Sequence, residues 1–145
     1  MALGIESDMA SDSVLIEPAT AEVLDEVFAI EQACFSAPWT RKMLAAELSG
    51  NQFAPFLIAK CPDPGSGAFV VAGYFCYWIV FEEVRLMNLA VLAPFRRQGV
   101  ARRLVCTALR AGLERGASRA MLEVRASNQE ALTLFEQLGN THGQA

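Results

Sequence analysis

Apolar positions fall into two rhythms along this chain. Val23, Val27, Ile30 and Cys34 recur at helical spacing behind Thr20, a residue suited to capping a first turn. "WTRKMLAAEL" predicts a second helix, with Thr40 as N-cap, Trp39 packing on Leu44 as a hydrophobic staple, and Pro38 in the turn between the two. Strand-like runs sit on either side: "SVLIEPA" before these helices, "APFLIAK" after them, then "AFVVAGYFCYWIV" and "EVRLMNLAVL". The stretch "CPDPGSG" reads as a hairpin loop, and two glutamates separate the last pair, as for antiparallel neighbours. Helical spacing returns from about Arg97 to Arg115, with Val100, Leu104, Ala108, Ala111 and Leu113 on one stripe and Arg102, Arg103 and Arg110 off it. Gly116 stands where a left-handed residue ends a helix. "RAMLEVR" is one more strand, and "SNQEALTLFEQLG" a last helix, with Ser127 and Glu130 as a capping box and Gly139 as stop. The order βααβββαβα describes a mixed sheet flanked by helices, an α/β (mixed α+β) fold.

Composition narrows this to one domain. The chain has 145 residues, 53% of them apolar, enough for a single well-formed core. Residues 1–12 read as a loose tail and 13–145 as the domain. A net charge of -4 excludes a protein that coats nucleic acid, so its arginine cluster is a local feature. The longest apolar run, Ala68 to Phe81, is too short to span a bilayer and carries a glycine and two tyrosines. The N-terminus has neither a basic nor an apolar signal region, so a cytoplasmic protein without membrane attachment is expected. Cys34, Cys61, Cys76 and Cys106 form no C-x-x-C pair, and there is one histidine, so neither a metal site nor a disulfide framework follows.

Candidate chemistry concentrates in "FRRQGVARRL", Phe95 to Leu104. A strand, a proline-containing turn and R-x-x-G-x-A open a helix there. The first turn of a helix offers N–H groups without intrahelical acceptors and a partial positive charge, a seat for phosphate oxygens. Gly99 lets a phosphate approach the backbone, and small Ala101 helps for the same reason. The same residues also suit an ordinary strand-to-helix turn with solvated arginines. G-x-G-x-x-G and G-K-[ST] are both absent, so dinucleotide and P-loop binding find no support.

"NLAVLAPFRRQGVARRLV" resembles the coenzyme A pyrophosphate motif, Q/R-x-x-G-x-G/A, of the GNAT N-acetyltransferase superfamily. "IEQACFSAPWT" and "LEVRASNQEALTLFEQLG" are similar to its ribosomal-protein alanine N-acetyltransferase (RimI) branch. The resemblance covers roughly residues 13 to 139. It implies a GNAT fold, in which two parallel strands of a mixed sheet splay apart around acetyl-CoA, used as cosubstrate without a metal. Pantetheine amides would pair near Leu89 and Val91, and the pyrophosphate would sit on Gln98, Gly99, Val100 and Ala101, with Arg96 and Arg102 alongside. Asn128 matches the family asparagine that contacts the cofactor. Glu123 matches the general base, although as a strand carboxylate it also suits a pair with Arg125 or Arg119. Phe35 and Trp39 match the region that shapes the acceptor side, where aromatic residues also serve as plain core. The implied partner is a protein N-terminus, that of a ribosomal protein. That acceptor makes chemical sense, since an α-amine has a pKa near ~8 against ~10.4 for lysine and is more readily neutral.

Two departures from the family pattern stand out. Phe135 occupies the position of the tyrosine that protonates the leaving thiolate, and phenylalanine has no hydroxyl. After Gly139 the family continues with two further strands, whereas here "NTHGQA" follows, so the domain is expected to lack that strand pair and to expose a sheet edge prone to self-association. Direct attack of the amine on the thioester is the expected mechanism, since no cysteine has a histidine nearby in sequence. Two other readings stay open: a module that binds acyl-CoA without turnover, and an acetyltransferase for a small-molecule amine.

Overall fold

The computed structural model describes residues 14–49 and 55–122, together with Thr133. Five strands form one sheet in sequence order: β1 (Leu15–Pro18), β2 (Phe56–Pro62), β3 (Phe69–Val80), β4 (Glu83–Val91) and β5 (Arg119–Leu122). The first four run antiparallel to their neighbours, while β5 lies parallel to β4. A parallel neighbour requires a crossover, and helix α3 (Val100–Glu114) supplies it. A 3-10 turn at Ala21–Val23, where Thr20 Oγ1 accepts from the Glu22 N–H, leads into α1 (Leu24–Cys34). Thr40 Oγ1 accepts from the Met43 N–H at 3.1 Å and caps α2 (Arg41–Leu48). Trp39 and Leu44 belong to the same core cluster, as a staple requires. No helix among the described residues is long and apolar enough to cross a membrane.

The sheet divides the core in two. Leu57, Phe75, Tyr77, Leu86, Leu89 and Val91 pack under Val100, Leu104, Val105 and Ala108 of α3. Ile58, Tyr74, Cys76 and Ala90 pack under Val27 and Ile30 of α1 and Leu44 and Leu48 of α2. In β4 this division depends on one extra residue. Tyr77 pairs with Leu86 and Cys76 with Asn88, which leaves Met87 as a β-bulge. Before it, even-numbered Val84 and Leu86 face α3; after it, odd-numbered Leu89 and Val91 do, and Asn88 and Ala90 turn toward α1.

Two details of the third helix differ from the sequence pattern. It opens at Val100 rather than near Arg97, because Arg97 (φ 63°) and Gly99 (φ 82°) both occupy the left-handed region. Leu113, expected on the buried stripe, is 66% exposed, and Gly112 is buried instead. The helix lies so close to β4 that a Cβ built on Gly112 would stand 2.1 Å from Cγ2 of Val84. Gly116 ends the helix with φ 89°, as expected. Apart from helical Thr133, the proposed last helix lies outside the described residues, as do any extension of β5 beyond Leu122 and the splaying of β5 from β4: their pairs run from Glu83 with Arg119 to Leu86 with Leu122.

Alanine at position 112 gains about 1 kcal/mol of helix propensity, but its methyl must push a β-branched neighbour, a strain of about 1–3 kcal/mol. Gly112→Ala is expected to lower the urea midpoint, and Val84→Ala in the same chain to recover part of the loss. A Gly112→Ala protein more stable than the parent would show that α3 is not seated this tightly on β4.

Candidate active site

The site is assembled where β4 runs out of the sheet. The Leu92 N–H donates to Ala72 O at 2.8 Å, which turns the peptide group of Leu92 toward β3. Strand alternation then turns those of Leu89 and Val91 toward the other edge, the side on which β5 lies. This is the edge from which the sequence motif would have a cofactor's amides paired. The Val91 carbonyl has a protein partner there, because Arg96 Nε donates to it at 2.8 Å. The Cys34 thiol stands 3.6 Å from the same oxygen, and Arg96 Nη2 lies 3.7 Å from Cys34 Sγ. Arg96 therefore clamps the end of β4 to the end of α1, a role its place in the motif did not suggest. The backbone that Val91 presents at this edge is chiefly its N–H.

Beyond Val91 the chain makes a 3-10 turn, Ala93–Phe95, anchored by buried Phe95. Arg96, Arg97 and Gln98 are exposed, and Gln98 Nε2 donates back to Pro94 O at 3.1 Å. Gly99 is the N-cap of α3, and its carbonyl accepts from the Arg103 N–H at 3.0 Å. Its positive φ is one that glycine adopts without a Cβ penalty. The N–H groups of Val100 and Ala101 fall in the first turn, where a helix has no acceptor of its own to give them. The four arginines are not equivalent. Arg103 Nη2 reaches Val14 O at 3.5 Å and so contacts the segment leading into β1. Exposed Arg97 stands in the turn itself. The positive end of a helix dipole, a Cβ-free cap and nearby guanidiniums fit a pyrophosphate.

The segment between α1 and α2 flanks the same end of β4. Phe35 and Trp39 are each partly buried against the core cluster under α1 and α2. A buried polar cluster beneath them was not foreseen. Glu31, fully buried, accepts at Oε1 from the Tyr74 hydroxyl and from Asn88 Nδ2 (3.1 Å), and at Oε2 from the Trp39 N–H (2.7 Å). Asn88 Nδ2 also donates to the Tyr74 hydroxyl oxygen at 2.7 Å. The sequence did carry a signal. Glu31 lies four residues after Val27, on the apolar stripe of its helix, where a carboxylate must find donors.

Buried thiols behave as core. Burial, then the charge and hydrogen bond of the Glu47 carboxylate, push the Cys76 thiol up to about 12, and burial also raises Cys61. Neither is a nucleophile near neutral pH. Arg119, one of the cations able to neutralise Glu123, pairs with Glu83 at 3.2 Å, and Arg85 pairs with the other oxygen of the same carboxylate at 3.2 Å. Glu123, Asn128 and Phe135 themselves lie outside the described residues.

Residues 24–139 match the sequence profile of the acetyltransferase (GNAT) family. The chain is 32% identical over 125 residues to the ribosomal protein bS18-alanine N-acetyltransferase of Haemophilus ducreyi, covering 86% of this chain and 81% of that one. It is 33% identical over 116 residues to the enzyme of the same name from Escherichia coli K12, covering 80% and 73%. The crystal structure of the Escherichia coli ribosomal-protein-S18-alanine N-acetyltransferase superposes with a TM-score of 0.71 at 28% identity, over 87% of this chain and 76% of that one. Acetyl-CoA is the cosubstrate that such acetyltransferases use. The chain thus belongs to the acetyltransferase (GNAT) family, as those alanine N-acetyltransferases do.

Proposed function

We propose that this chain transfers the acetyl group of acetyl-CoA to the α-amine of a protein N-terminus, with the N-terminal alanine of a ribosomal protein as acceptor. The observation that carries the reading is the path from β4 into α3: the end of the strand leads through an arginine-rich turn to a helix opened by left-handed Gly99. The names of the relatives support the choice of acceptor.

In this reading the pyrophosphate rests on Gly99, Val100 and Ala101, with Gln98, Arg96 and Arg102 beside it, and Asn128 contacts the cofactor. Leu89 and Val91 offer the strand edge to the pantetheine arm. The acceptor's neutral amine attacks the thioester carbon. A C–N bond forms, the C–S bond breaks, and coenzyme A leaves as the thiolate. Glu123 takes the proton that the amine nitrogen must lose, directly or through a water. The thiolate leaves without help from Phe135, which has no proton to give. A thiol pKa near ~8.5 makes that departure tolerable at neutral pH. Phe35 and Trp39 wall the acceptor side.

The deciding experiment incubates the purified protein with acetyl-CoA and a panel of alanine-starting peptides, lysine peptides and polyamines, and locates the acetyl group by mass spectrometry. Acetyl on the α-nitrogen of the alanine-starting peptides is expected. Acetyl confined to lysine side chains or polyamines would overturn the acceptor assignment.

Three variants separate the parts of the site. Gly99→Val places a β-branched residue where φ is positive and a Cβ where phosphate should approach. Acetyl-CoA binding measured by calorimetry should weaken at least about tenfold, as for a strained backbone that has also lost a charge-assisted contact. Unchanged affinity in a folded variant would remove the phosphate seat. Glu123→Gln should lower turnover at pH 7 by about 10²- to 10⁴-fold, the usual contribution of a general base, and recover in part as rising pH deprotonates the amine. A flat ratio to the parent across pH would return Glu123 to a surface carboxylate. Phe135→Tyr, which supplies a proton donor, should raise turnover by about tenfold or less, because the thiolate is already a fair leaving group. A gain in peptide affinity with no gain in turnover would place residue 135 on the binding side instead.

A further inference from the structure

Buried carboxylates are rare in apolar cores, because an unsatisfied charge there is costly. Glu31, at 0% exposure, is buried on α1 along with Val27 and Ile30. A leucine at that place would pack without any need for donors. The chain instead surrounds the carboxylate with a hydroxyl, a carboxamide and a backbone N–H, each from a different part of the fold. Such a cluster contributes to a unique arrangement more than to raw stability.

The division of labour between its two oxygens shows which arrangement is fixed. Oε1 faces the sheet and takes Tyr74 of β3 and Asn88 of β4; Oε2 faces the segment after α1 and takes the N–H of Trp39. Asn88 immediately precedes Leu89, at the strand edge of the cofactor side, and Trp39 immediately precedes the cap of α2. Asn88 Nδ2 is held by both Glu31 and Tyr74, while its Oδ1 is buried and has no partner among the described residues. The carboxamide is therefore oriented toward the carboxylate even though its own acceptor is left bare.

We infer that Glu31 is a positioning residue, which joins β4 to the segment carrying Phe35 and Trp39 and so sets the distance between the acetyl donor and the acceptor side. The inference rests on the reading that this segment receives the acceptor peptide. Glu31 touches neither substrate nor reacting atoms; it acts through the Trp39 backbone.

The test compares two substitutions in the full chain by steady-state kinetics with an alanine-starting peptide and by calorimetry with acetyl-CoA. Glu31→Met keeps length and packing and removes both acceptors. It should raise the peptide KM by about tenfold, as loss of one buried hydrogen bond would, and leave acetyl-CoA affinity within about twofold. Glu31→Gln keeps one oxygen for the Trp39 N–H, while its amide can face Tyr74 and a turned Asn88, so it should restore most of the peptide KM. An unchanged peptide KM in Glu31→Met, or peptide and cofactor binding lost in parallel without rescue by Gln, would overturn the inference. Should Glu31→Met fail to fold, Tyr74→Phe takes its place: a KM rise confined to the peptide supports the inference, and an unchanged KM overturns it. If the parent acetylates no peptide, the proposed acceptor has failed on its own. Hydrogen exchange at the Trp39 amide then decides: faster exchange in Glu31→Met supports the positioning role, and unchanged protection refutes it.

Discussion

In β4, the constraint on which the rest depends is the single unpaired residue, Met87. Side chains in a strand alternate strictly, so an unbroken β4 would turn Leu89 and Val91 toward α1 and send Asn88 and Ala90 under α3. The inserted residue reverses the parity halfway along the strand. Leu89 and Val91 then join Leu86 in the core beneath α3, and Asn88 reaches the carboxylate of Glu31. The apolar packing of the crossover helix and the polar anchoring of the α1–α2 segment follow from one shift. Bulges tend to occur where a strand must present something other than a regular ladder, and here the bulge lies between the part of β4 that pairs with β5 and the part that leads into the turn before α3.

Chemically, the molecule keeps its two kinds of polar group apart. On the α3 side, charge is gathered on exposed or half-exposed arginines around a helix start, where water and anions have access. On the α1 side, a carboxylate is taken fully out of water and satisfied by groups of the chain itself. The first arrangement stays in contact with water and the second does not. Arg96 stands between them, in the motif by sequence yet engaged with the Val91 carbonyl and Cys34.

Most of the element order through β5 was legible in the sequence, because period, caps and turn residues agreed locally. Thr20, Thr40 and Gly116 announced their helix ends through chemistry that acts within a few residues. What escaped was set by tertiary distance. "LMNLAV" is apolar on both sides of its bulge, so nothing in it marks where the parity changes. Arginine at 97 gives no hint of a left-handed backbone, which the turn imposes on it. Leu113 looked like core, but Gly112 takes the buried place, where the closeness of Val84 leaves room only for a hydrogen. At the site, R-x-x-G-x-A suited a phosphate seat and an ordinary strand-to-helix turn alike, and only the resemblance chose between them. The Glu31 cluster draws on positions 43 and 57 residues away, so only its misplaced charge on an apolar stripe was visible beforehand.

The turn before α3 holds two residues, Arg97 and Gly99, in the left-handed region. For arginine that conformation costs about 1–3 kcal/mol, which the fold bears once, when the chain is made. Where the fold itself imposes these backbone angles, the ordering entropy of the turn falls on folding and not on association. Capture should then be a single collision-controlled step, with residence time decided by how fast the anion leaves rather than by any closing of the loop.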